Sequence, residues 1–294
     1  MQKTILVTGA NGQLGKSLQQ IAPDYGGRFR FLFTDVDTLD ITDIAALRCM
    51  VAEGKVNILL NAAAYTAVDK AESDIERAYL LNENAVANLA TVAKEADAFF
   101  LHISTDYVFD GKSEIPYRID EQTNPTSVYG KSKLAGETAI ARAGCRGAIV
   151  RTAWLYSPYG NNFVKTMLRL ADTRDSISVV NDQTGCPTLA LDLARFLMAV
   201  IEHDGVANEL KYYHFTNKGR ITWFDFACEI IRQAGKSCPV QPIPTSSYPT
   251  PTTRPAFSVL DLTESEAIFD IPDWKESLTT VLPEIIYNYE HNIF

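Results

Sequence analysis

Three glycines set the strongest limit on what this chain can become. Gly9, Gly12 and Gly15 stand at G-x-x-G-x-x-G spacing directly behind the apolar run Thr4-Ile5-Leu6-Val7. A strand that turns on glycines into a helix lets its backbone approach a ligand, because no Cβ stands in the way. The free N–H groups at the helix start then suit a diphosphate. The pattern carries weight here because a strand precedes it and a helix follows; glycines alone would equally fit a tight turn with no ligand.

Behind the turn, short apolar runs alternate with segments of helical period. Strands are expected at 4–8, 30–34, 56–61, 99–104 and 148–152, and helices near 14–22, 43–53, 75–96 and 128–143. Strand and helix in regular alternation imply parallel pairing through right-handed crossovers. The fold class expected is α/β, a doubly wound parallel sheet of Rossmann type with a smaller C-terminal α/β substrate-binding region. Residues 1–155 are read as the dinucleotide-binding domain with the catalytic residues. Residues 156–294 are read as mainly substrate-binding, with about 186–205 returning to the first domain. Six prolines across 239–255 are expected to make an ordered loop, over a ligand cleft or simply on the surface.

A formal charge of -9 argues against general binding to nucleic acid or anionic membrane, since both attract basic surfaces. The 5 cysteines form no C-x-x-C pair, so neither a disulfide framework nor a zinc knuckle is indicated. The short apolar start is no signal peptide, and no run is long enough to span a bilayer, so a cytoplasmic protein is expected. A monomer or a homodimer is expected.

Asp35 falls twenty residues after Gly15, at the end of the second strand. A carboxylate there accepts from adenosine ribose hydroxyls and repels a 2′-phosphate, which favours NADH over NADPH. Asn61-Ala62-Ala63-Ala64 ends the third strand with small side chains that let a cofactor lie on the backbone. Tyr129 and Lys133 are spaced i and i+4 on one helix face. A neighbouring ammonium is expected to draw the phenol's pKa down from its usual ~10, readying it to protonate an alkoxide as hydride reaches a carbonyl. Thr105 ends the fourth strand upstream, where its hydroxyl can meet the same carbonyl oxygen.

Together these residues resemble the extended short-chain dehydrogenase/reductases, and among them the sugar-nucleotide 4-ketoreductases of dTDP-rhamnose synthesis. The resemblance extends over nearly the whole chain. It rests on Gly9 through Gly15, Asn61-Ala62-Ala63-Ala64-Tyr65-Thr66-Ala67-Val68-Asp69-Lys70-Ala71-Glu72 and Ser104-Thr105-Asp106-Tyr107-Val108-Phe109. It continues in Tyr129-Gly130-Lys131-Ser132-Lys133 and Asn181-Asp182-Gln183-Thr184-Gly185-Cys186-Pro187-Thr188. The resemblance implies reduction of the 4-keto group of dTDP-4-dehydro-β-L-rhamnose to dTDP-β-L-rhamnose with NADH or NADPH. Tyr129 would be the general acid, Lys133 its partner on the nicotinamide ribose, and Thr105 the hydroxyl at the carbonyl. Cofactor contacts are then expected from Gly9, Gly12, Gln13, Leu14, Gly15 and Asp35, and from Asp40 and Ile41. Ala62, Ala63, Ala64 and Tyr65 would add to them, with Tyr129 and Lys133. Thr66, Val68, Thr105, Asp106, Tyr107 and Trp154 would meet the substrate, and Arg254 its diphosphate. Ser17 and Leu191 stand where some relatives carry metal-binding carboxylates, so no metal is expected. Phe257 stands where the family commonly has Asn, which bears on the nucleotide contacts.

Two other readings share these residues. A cofactor-retaining epimerase or dehydratase would use the same groove, although dehydratases set a second acid behind the first, where this chain has Tyr107. A non-catalytic nucleotide-binding regulatory subunit would have no need of Thr105, Tyr129 and Lys133 together.

Overall fold

Strand β1 (Lys3–Thr8) is apolar almost throughout and alternates between two cores, so both of its faces must be covered. Ile5 and Val7 point to one side and Leu6 to the other. The same alternation runs through β3 (Val56–Asn61), β4 (Phe99–Thr105) and β5 (Gly147–Thr152). The computed structural model describes residues 2–205 and 207–291. Its main sheet has six strands, all parallel, in the order 210–215, β5, β4, β3, β1, with β2 (Phe29–Thr34) at the far edge. One face is closed by helices Gln13–Tyr25 and Ala190–Asp204, through Leu14, Leu18 and Ile21 against Phe196, Leu197 and Ile201. The other is closed by Ile44–Gly54 and Ala85–Glu95.

The strand order reverses between β1 and β3. Successive strands leave this point in opposite directions, and a crevice opens at their carboxyl ends. The glycine turn after β1 and the Asn61-Ala62-Ala63 segment after β3 form its two lips.

The expected strands and helices are present, with three differences. The segment read as one helix over 75–96 is Ile75–Tyr79, a π-helical turn Leu80–Asn84, then Ala85–Glu95. The widened turn presents the Asn82 carbonyl to Gly136, where a Cβ would stand 2.1 Å from the oxygen. The proline-rich 239–255 is not all loop: Val240–Ile243 pairs in parallel with Ile177–Val180 in a two-stranded sheet. Pro242 is tolerated there because such a strand has an unpaired edge and needs no donor on that side. The sixth strand, Leu210–Phe215, lay outside the sequence reading.

A second core gathers Tyr156, Val164, Leu168, Phe226, Ile230 and Leu278 under helices Phe163–Thr173, Trp223–Gln233 and Trp274–Glu290. Gln13, on the first helix, ties the two parts together by accepting from Ser157 Oγ at 3.0 Å and Asn162 Nδ2 at 3.1 Å.

Helix Val128–Ala143 is locked to the sheet by a buried ion pair. Glu137 receives Arg151 Nη2 at 2.7 Å and Nε at 3.0 Å, and also Ser104 Oγ at 2.5 Å. Removing one partner would strand the other charge in the core. Glu137→Ala should cost about 3–5 kcal/mol in urea denaturation, and replacing both residues with apolar ones should cost less than the single change.

Candidate active site

At the turn, Gly9 adopts φ +69, and a Cβ on it would fall 2.6 Å from the Ala63 nitrogen. Gly15 is packed harder still, at 2.3 Å from the Gly9 oxygen. Gly12 caps the first helix with no side-chain bond, and the first turn holds no acid. Its amide donors are therefore left for an external anion, and the residues present fit a dinucleotide diphosphate. Asp35 accepts from Asn11 N and Val36 N, both at 2.8 Å, which aims its carboxylate at the same end of the cleft.

The cleft has a volume of about 1590 Å³ and runs from this turn to the aromatic pair Trp154 and Trp223. Thr105, Tyr129 and Lys133 all line it. So do Gly9, Gly12, Gln13, Leu14 and Asp35, and Asp40 with Ile41. Ala62, Ala63 and Ala64 form one wall; Thr66, Val68, Asp106, Tyr107, Trp154 and Arg254 stand toward the other end. Two expected cofactor residues do not line it. Gly15 lies beneath the turn, where it lets helix and strand meet. Tyr65 is buried and gives its hydroxyl to Asp74 at 3.1 Å. Phe257 is buried too, packed near Tyr117 with its ring under Arg220.

Tyr129 and Lys133 leave one face of helix Val128–Ala143, and both are almost fully enclosed. Their electrostatics differ from the sequence expectation. Burial pushes the Tyr129 phenol well above its ordinary value, and the neighbouring Thr105 hydroxyl is the group that pulls it back. Lys133 turns its Nζ to Ile103 O at 2.6 Å and His102 Nε2 at 3.3 Å. Burial lowers Lys133 itself to about 8, against a rise from Glu137. The phenol is thus held protonated, as an acid with a proton to give must be.

Thr105 donates to Asp106 Oδ1 at 2.9 Å and accepts from Tyr107 N at 3.2 Å. At the outer end, Tyr107 stands edge-on to Tyr129 and receives Arg254 Nη1 at 3.2 Å. Arg254 Nη2 is paired with Asp69 at 2.5 Å. Trp154 sits at φ +49, a left-handed backbone rare for a bulky side chain, and lies flat on Trp223 at 3.7 Å. Sequence reasoning missed Trp223, Arg77 and Asn161 in the lining. Trp223 had a local signal in the Thr222/Asp225 capping box that starts its helix.

Asp106 is raised to about 6, by burial first, with the Thr105 and Ser258 hydroxyls opposing. Its folded pKa lies above the ordinary 3.8, so the folded protein holds the proton longer than the unfolded chain. The stability this lends is complete below pH 3.8 and is lost as pH rises through about 6. Asp106→Asn keeps an acceptor for Thr105 and should unfold at higher denaturant than the parent at neutral pH. At acid pH the two midpoints should meet; a constant gap would refute the assignment.

The family described as RmlD substrate binding domain matches residues 2–286. The dTDP-4-dehydrorhamnose reductase of Aggregatibacter actinomycetemcomitans is 42% identical over 287 residues, which cover 94% of this chain and 97% of that protein. A crystal structure of a dTDP-4-dehydrorhamnose reductase from Clostridium acetobutylicum is similar at a TM-score of 0.90 and 42% identity, covering 95% of this chain and 98% of that one. The dTDP-4-dehydrorhamnose reductase of Bacillus anthracis, solved in complex with NADP, also gives 0.90, at 37% identity over 97% of this chain and 100% of that one.

Proposed function

The chain belongs to the RmlD substrate binding domain family, and from that premise we propose that it reduces the 4-keto group of dTDP-4-dehydro-β-L-rhamnose to dTDP-β-L-rhamnose. The observation that carries this reading is one cleft lined at once by the bare glycine turn, by Thr105, Tyr129 and Lys133, and by the stacked tryptophans.

A reduced nicotinamide dinucleotide supplies the hydride when bound. The chain's own work is to hold, orient and protonate. The first turn of helix Gln13–Tyr25 offers the backbone N–H groups of Gln13 and Leu14 to the diphosphate, and Asp35 offers its carboxylate to the adenosine ribose. That negative charge opposes a 2′-phosphate, so NADH is the preferred reductant. The small side chains of Ala62, Ala63 and Ala64 leave the wall smooth for the cofactor. Tyr129, protonated and buried, gives its hydroxyl proton to the oxygen of the former ketone. An alkoxide is a far stronger base than a phenolate, so the transfer runs downhill even from a phenol raised by burial. Thr105 stands beside the same oxygen and Lys133 on the cofactor side.

Residues 1–155 carry the cofactor and the proton donor. Residues 156–294 add the sugar-nucleotide side through Trp223 and Arg254, while helix Ala190–Asp204 serves the first half by packing on Gln13–Tyr25. The flat faces of Trp154 and Trp223 suit a base or pyranose ring, and Arg254 suits a diphosphate. A dehydratase would need a second acid after Asp106; Tyr107 stands there, its hydroxyl engaged by Arg254.

Mixing the protein with NADH and the 4-keto sugar nucleotide should remove the reduced-nicotinamide absorbance, faster than with NADPH. Tyr129→Phe should lower kcat by ~10²-fold or more while leaving the Kd for NADH nearly unchanged, since only proton transfer is lost. Equal turnover in parent and variant would refute the role of Tyr129, and no turnover by the parent would refute the reaction.

A further inference from the structure

Two segments far apart in sequence meet at the end of the cleft where Thr66, Val68 and Arg254 stand. One is 66–72; the other is the proline-rich stretch 244–256, which carries Arg254. Two contacts join them. Thr252 is buried between the exposed residues Pro251 and Thr253, and its Oγ1 donates to Val68 O at 3.0 Å. Asp69, the next residue, accepts from Arg254 Nη2 at 2.5 Å through Oδ2 and from the Thr252 N–H at 3.4 Å through Oδ1. Segment 66–72 is itself fixed, since Glu72 Oε1 accepts at 3.0 Å from the N–H of Val128, the first residue of the helix that carries Tyr129.

The proline-rich stretch needs no ion pair to keep its place. Thr245 N donates to both oxygens of Asp182, at 2.9 and 2.8 Å. Beyond the other end, Phe257 N reaches Gly111 O at 3.1 Å and Ser258 N reaches Thr184 O at 2.8 Å. The side chains of Arg254 and Asp69 are 31% and 38% exposed, and an ion pair so open to solvent adds little stability. What it does set is direction. A guanidinium carries five N–H donors in one rigid plane, so holding two of its corners aims the rest. Asp69 holds Nη2, and the Tyr107 hydroxyl accepts from Nη1 at 3.2 Å. Arg254 belongs to the cleft wall and Asp69 lies outside it, so the carboxylate leaves the inner edge of the guanidinium free.

We propose that Asp69 is a positioning residue for the substrate's phosphates, holding Arg254 from outside the cleft so that its remaining donors meet a diphosphate. This rests on the sugar-nucleotide reading of the cleft and deepens it, because it divides diphosphate recognition between two segments. A side chain ordered before the ligand arrives loses less entropy on binding. The negative charge of Asp69 opposes an incoming anion, but from behind the guanidinium, farther from the ligand than the positive charge it holds in place.

The test titrates dTDP into the full-length protein, Asp69→Ala, Arg254→Ala and the double variant, with NADH binding as the check on folding. Asp69→Ala should raise the Kd for dTDP about tenfold, roughly the effect of one misplaced charge-assisted contact. With the 4-keto sugar nucleotide the loss should fall on KM rather than kcat. In the Arg254→Ala background, removing Asp69 should cost nothing further, because a positioning residue acts through the group it holds. Asp69→Asn keeps an acceptor for Nη2 and should recover most of the affinity. Unchanged or tighter dTDP binding in Asp69→Ala would overturn the proposal, as would an equal loss with Arg254 already gone. If Asp69→Ala does not bind NADH, Asp69→Ser, which also releases Nη2, decides in its place. A parent protein that binds NADH but not dTDP would refute the sugar-nucleotide reading and the positioning role with it; dTDP binding indifferent to Asp69 refutes the positioning role alone.

Discussion

At Gly9 the backbone of one strand's exit presses on the exit of the next: a Cβ there would stand 2.6 Å from the Ala63 nitrogen and 2.8 Å from the carbonyl carbon of Ala62. That approach holds the carboxyl ends of β1 and β3 together at the point where the strand order reverses, and it keeps the helix N-terminus bare. The same device recurs on helix Val128–Ala143. A Cβ on Gly130 would meet Tyr107 O at 2.2 Å, and one on Gly136 would meet Asn82 O at 2.1 Å. Backbone contacts without side chains thus set both the glycine turn at one end of the cleft and the helix that carries Tyr129 and Lys133.

Burial then governs the chemistry. The Tyr129 phenol and the Asp106 carboxyl are pushed up, while the Lys133 amine and the His102 imidazole are pushed down. Each shift favours the uncharged form, as desolvation demands. Charge is kept where it is paired, at Glu137 with Arg151 behind the helix and at Arg254 with Asp69 near the outer end. A neutral acid beside a buried hydroxyl can wait with its proton until a stronger base appears. For a phenol raised by burial, the drive to give up its proton comes from the greater base strength of an alkoxide.

What could be read from residues alone was what local spacing dictates. Gly9, Gly12 and Gly15 announced the turn, alternating apolar runs announced five of the parallel strands, and the four-residue step from Tyr129 to Lys133 put both on one helix face. Features resting on distant contacts were not legible. Strand Leu210–Phe215 exists because it pairs with β5, and nothing in Leu210-Lys211-Tyr212-Tyr213 alternates cleanly enough to say so. The π-helical turn at Asn82 answers to Gly136, some fifty residues on. His102 read as one more member of an apolar strand; only Asn61 and Lys133, each on another element, give it a direction.

Reduction at this cleft is tested most directly by where the transferred hydrogen goes. Turnover with NADH carrying deuterium at the transferable C4 position should give product sugar with one deuterium bonded to C4 and oxidised cofactor released into solution. Product without that deuterium, formed while the cofactor stays bound and is returned to its starting state, would contradict reduction at this site.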